Sequence, residues 1–154
     1  MNLRPHRPVI LSFVSAVLVA ALLGSVIQTQ LNLAALAAMG APMPFDVRLR
    51  TTGLDLIGFT PAYAGIVCAA FLVALPAGTW ITRRLDRPSK PPIFALAAIV
   101  GMGIALQVTD AVAPMPTLIA ATRSVAGTAW MLAGAGVGGL LFALLRTHAS
   151  RRVA

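Results

Sequence analysis

The sequence predicts an all-α membrane protein: a four-transmembrane-helix bundle, N-in/C-in, with a short interfacial helical segment in its first outer loop. Three observations carry that prediction. The 154 residues are 58% hydrophobic and 10% charged, with a mean hydropathy of +0.88, whereas soluble domains carry roughly a quarter charged residues. Four long apolar runs alternate with polar or proline-rich connections. The basic residues cluster beside alternate ends of those runs, the pattern that orients spans in a membrane.

The first span is read at about residues 9–27, a run without a charge that follows Arg4 and Arg7. It is long enough to cross about 30 Å of hydrocarbon at 1.5 Å per residue, and longer than the roughly 7 to 15 apolar residues of a cleaved signal peptide. Ala16, Ala20 and Gly24 recur every four residues along it, a smooth stripe on which another helix can approach closely. Gln28, Gln30 and Asn32 are read as ending this span in the head-group region.

Residues 28–60 form the outer loop. Leu31 to Met39 is apolar but too short to cross, and Gly40, Pro42 and Pro44 break it. Phe45 to Phe59 carries two periodicities. Phe45, Val47 and Leu49 alternate with charges as in a strand, while Phe45, Leu49, Leu56 and Phe59 fall at helical spacing. A two-stranded hairpin would leave open edges near lipid, so a short interfacial helix is the expectation.

The second span, about 61–81, begins at Pro61, with Tyr63 and Trp80 as interface anchors and Pro76 inside it. The loop 82–92 is rich in positive charge and ends in Pro91 and Pro92. The third span is about 93–108. Beyond the turn from Pro114 to Pro116, Thr117 is expected to cap a long final helix with Arg123 in its first turns and its span at about 127–145. Gly134 and Gly138 offer that helix a close-packing face.

Basic counts set the orientation. Two arginines precede the first span, four basic residues face one aspartate in the middle loop, and three arginines follow the last span. The other two connections are balanced, Arg48 and Arg50 by Asp46 and Asp55, and Arg123 by Asp110. The expectation is one membrane domain, residues 1–154, with both termini cytoplasmic. Arginine supplies eleven of the twelve basic residues and glutamate is absent, a bias that, with the alanine excess, associates the chain with a GC-rich bacterium and its inner membrane.

No motif names a reaction. His6 and His148 lie in the flanks, not among the spans where a haem would need axial ligands. No Cys, His or carboxylate cluster has metal-ligand spacing, and Cys68 stands alone in an apolar run. No cofactor, metal or nucleic acid is expected, and the partners expected are lipid, anionic lipid included, and a membrane-protein partner or a second copy. Two functions stay open: a non-catalytic accessory or interaction subunit, or a lipid- or small-anion-handling enzyme or carrier that uses the outer-face arginines Arg48, Arg50 and Arg123. Asp110 and Arg123 flank the proline turn and are candidates for an ion pair that steadies Arg123 near the interface.

Overall fold

The structure, a computed structural model, describes residues 7–85, 91–112 and 119–151. Its elements are α1 (Arg7–Ala38), α2 (Phe45–Gly58), α3 (Thr60–Arg84), α4 (Pro91–Val112), a short 3-10 helix (Ala120–Arg123) and α5 (Val125–Arg151), and the described residues contain no strand. Four of these helices, α1, α3, α4 and α5, are long and apolar enough to cross a membrane, which makes this a multi-pass membrane protein. The expected proline turn at Pro114–Pro116, the Thr117 cap and Asp86, Arg87 and Lys90 of the loop lie outside the described residues.

Two boundaries differ from the sequence reading. The helix that carries the first span does not stop at Ile27: α1 continues unbroken for 32 residues, about 48 Å. Between Ser25 and Met39 there is neither glycine nor proline, so nothing in the backbone interrupts the helix. It ends where Gly40 adopts a left-handed φ of 87°. There the Ala41 N–H reaches the Leu36 carbonyl at 3.2 Å and the Gly40 N–H the Ala37 carbonyl at 3.0 Å, a Schellman stop that needs glycine. The final helix, in turn, starts at Val125, not at Thr117. Ser124 is its N-cap, accepting the Gly127 N–H on its side-chain oxygen at 3.0 Å. Arg123 therefore belongs to the 3-10 turn before the helix.

Residues 45–58 are helical, as the lipid argument required. Pro44 precedes the first turn and Asp46 lies within it, where a negative charge meets the positive end of the helix dipole. A single residue, Phe59, joins α2 to α3. Pro61 has no N–H to continue the hydrogen-bond ladder across that joint.

The spanning helices form a ring in which α1 packs on α5, α5 on α4, α4 on α3, and α3 back on α1. Phe71, Leu75, Phe94, Met102, Met131 and Phe142 fill its centre, with the Phe94 and Phe142 rings tilted at 53° and 5.5 Å apart. Outside, α4 presents Leu96, Val100, Ile104 and Val108, an exposed apolar stripe suited to acyl chains.

Small residues let the backbones approach. A Cβ on Gly138 would come within 2.9 Å of the Ala16 carbonyl and of the Ala20 methyl, and one on Gly139 would strike the Phe94 carbonyl. Gly24 leaves room for the Tyr63 ring, and Gly134 sits over Leu23 and Ile27. The stripe Ala16, Ala20, Gly24 and the face Gly134, Gly138 thus meet each other and their neighbours inside one chain.

The close approaches give a graded prediction. Gly139→Val should lower stability by roughly 1–3 kcal/mol through overpacking against backbone. Gly103→Ala, whose added Cβ would rest 3.6 Å from Leu132, should leave the unfolding midpoint almost unchanged. Unfolding of both variants in mixed detergent micelles checks this, and equal effects would show that the α4–α5 approach does not set the packing.

Candidate functional site

The most built polar feature lies along α1 between Ser25 and Gln30. Ser25 and Thr29 are fully buried and Gln28 nearly so. Hydrocarbon supplies no hydrogen-bond partners, so polar groups at this depth must be met by other protein groups. Here α2 and the 3-10 turn meet them.

Thr29 Oγ1 donates to Asp55 Oδ2 at 2.7 Å, with the Ser25 carbonyl 2.9 Å from the same hydroxyl. Ser25 Oγ makes a longer approach, 3.5 Å, to the Asp55 carbonyl. Gln30 is used at both ends of its amide: Nε2 donates to Thr52 Oγ1 at 3.0 Å, and Oε1 accepts from Arg48 Nη1 at 3.3 Å. Thr52 Oγ1 in turn donates to the Arg48 carbonyl at 2.8 Å. Gln28 serves the other element, its Oε1 accepting the Ala121 N–H at 2.8 Å in a buried contact. One stretch of α1 therefore fastens α2 through three residues and the 3-10 turn through a fourth.

The clamp fixes which way α2 faces. Arg48, Thr51, Thr52 and Asp55 turn toward the bundle, while Phe45, Leu49, Leu54 and Ile57 turn away. Phe45 and Ile57 are each 78% exposed and Leu49 63%. Helical spacing predicted an apolar face of Phe45, Leu49, Leu56 and Phe59, but Leu56 is half-buried and Phe59 stacks on Tyr63 at 5.5 Å. Helical periodicity is sufficient to find the helix, but not to say that the face with Arg48, Thr52 and Asp55 is the one that docks.

The arginines expected at this end are placed apart. Arg48 is engaged with Gln30, whereas Arg50 is exposed on the opposite side of α2. Arg123 is exposed on the 3-10 turn. Asp110 Oδ1 lies 3.2 Å from the hydroxyl of Thr122, the residue preceding Arg123. Gln28 and Gln30, expected to mark the end of a span, are instead the residues that bind the two cap elements, and Asn32 is exposed. The signal that could have shown this was the absence of any helix breaker before Gly40. Among the described residues no group of three His, Cys, Asp or Glu side chains could hold a metal ion.

Comparison of the chain with family models, with curated proteins and with solved structures finds no match.

The clamp predicts a measurable coupling. Thr29→Val and Asp55→Ala should each destabilise the protein, and a double-mutant cycle should return a coupling of roughly 0.5 to 2 kcal/mol, the range of hydrogen bonds between helices in lipid. Arg50→Ala, on the opposite side of α2, should leave stability unchanged. Strict additivity of the Thr29 and Asp55 variants in detergent unfolding would show that this hydrogen bond does not hold the cap.

Proposed function

We propose that the protein is a non-catalytic accessory subunit of a bacterial inner membrane, with both termini cytoplasmic and α2 on the outer side, that binds another membrane protein through the apolar face of α2. The observation that carries this reading is the orientation of α2. An amphipathic helix lying free in the interface turns its polar side to water and its apolar side to lipid. Here Arg48, Thr52 and Asp55 are withdrawn into the protein by Thr29 and Gln30, and Phe45, Leu49 and Ile57 are held outward on a fixed support beside the exposed Asp46 and Arg50. A rigid apolar surface loses little conformational freedom on docking, which favours association.

The orientation part of the proposal rests on the basic clusters of the sequence under the positive-inside rule. The small-residue faces give no support for a second chain, because they are occupied by intramolecular packing. The alternative, an anion- or lipid-handling enzyme or carrier built on Arg48, Arg50 and Arg123, has less geometric support, since Arg48 is engaged in the clamp and Arg50 points away from it.

Purification from native membranes in mild detergent, followed by native mass spectrometry, tests the proposal. A stoichiometric partner is expected, it should cross-link to a photoreactive residue placed at position 49, and it should be lost from a Leu49→Asn, Ile57→Asn variant that still unfolds at the wild-type midpoint. Recovery of the wild-type protein alone or only as copies of itself, with lipid as the sole cross-linked species, would overturn it.

A further inference from the structure

At the end of the bundle opposite α2, an open cleft of about 530 Å³ lies between α1, α3 and α5, within the roughly 300–1,000 Å³ of small-ligand sites. Its floor is apolar and buried, formed by Leu75 and Phe142 with Phe13 above them. Its rim is exposed: Ile10 is 58%, Leu72 60% and Trp80 60% accessible, so the cleft opens sideways, toward where lipid stands. Two arginines, Arg83 from α3 and Arg146 from α5, line the same cleft.

These two cations are brought to one cleft by packing, and like charges so placed repel. Arg146 is half-buried, and its Nη1 donates to Thr79 Oγ1 at 2.9 Å, whose own proton goes to the Leu75 carbonyl. That bond holds the guanidinium against α3 in the lining of the cleft. Arg84 adds a third positive charge at this end, lying 5.2 Å over the Trp80 ring. The described carboxylates, Asp46, Asp55 and Asp110, are all at the α2 end. The cleft thus combines a long apolar wall with concentrated positive charge at one end, which is the complement of a lipid with an anionic head and not of a free anion, for which the apolar wall has no use.

We infer that this cleft binds one anionic glycerophospholipid, its phosphate held between Arg83 and Arg146 and one acyl chain laid along Phe13, Leu72, Leu75 and Phe142. Guanidinium groups match phosphate oxygens with paired N–H donors, and Trp80 stands at the head-group level such a lipid would define. The inference does not depend on α2 or on any protein partner. With the orientation proposed above, the lipid comes from the cytoplasmic leaflet.

Full-length protein in zwitterionic detergent, titrated with phosphatidylglycerol, phosphatidylcholine or inorganic phosphate and read by native mass spectrometry, tests it. One phosphatidylglycerol should be retained per chain, about tenfold more tightly than phosphatidylcholine, and excess inorganic phosphate should not displace it. Arg83→Gln, at an exposed position, should weaken retention roughly tenfold, and Leu72→Trp should do the same by filling the cleft while leaving both arginines in place. Equal retention of the two lipids, displacement by phosphate alone, or unchanged binding in both variants would each overturn the inference. Loss of binding in Arg83→Gln with full retention in Leu72→Trp would also overturn it, by showing surface charge without an acyl-chain site.

Discussion

The structure depends on one constraint: a polar side chain buried away from water must find its hydrogen bonds in protein. The stretch of α1 from Ser25 to Gln30 concentrates four polar side chains, Ser25, Gln28, Thr29 and Gln30, on a mostly apolar helix, three of them buried. Left alone they would make that part of α1 unsuited to lipid. They are satisfied by a separate helix and by a turn, and the positions of both follow from that need. The cap is therefore a consequence of α1's composition, and its fixed orientation a consequence of where Asp55, Thr52 and Arg48 fall on α2.

A second requirement acts lower down. Lipid tails are as apolar as leucine, so burial drives no helix pairing between spans, and close contact must supply the attraction. Gly138 and Gly139 set the α5 backbone directly against α1 and α4. The ring of helices is closely packed there. It loosens toward the end where Phe13, Leu72 and Trp80 leave a cleft open to the side.

The number of spans, their approximate centres and the helix at residues 45–58 were legible in the sequence, because each rests on length, hydropathy or the cost of an unpaired strand edge, all of which are local. The small-residue stripe was legible for the same reason, though not whether its mate lay in this chain or another. The extension of α1 is not evident from Gln28, Gln30 and Asn32, whose polarity suggests a head-group region, although their helix has no breaker until Gly40. Ser124 carried a readable cap signal that competed with the more distant Thr117. The pairing of Gln28 with Ala121, separated by 93 positions, and the meeting of Arg83 with Arg146 are properties of the assembled ring that local periodicity does not encode.

The place of the clamp along α1 also fixes a length. From the start of α1 at Arg7 to Ser25 the helix rises about 27 Å, close to the thickness of a bilayer's hydrocarbon layer. With Arg83, Arg84 and Arg146 at one end and a bonded polar belt at the other, the protein carries a hydrophobic ruler whose two marks are both costly to move. In a thicker bilayer the belt would be drawn into acyl chains, and in a thinner one apolar turns of α1 would stand in water or the helix would tilt. A bilayer whose hydrocarbon layer is near that length meets the protein at the least cost, and departures from it are met by tilt or local change in the bilayer.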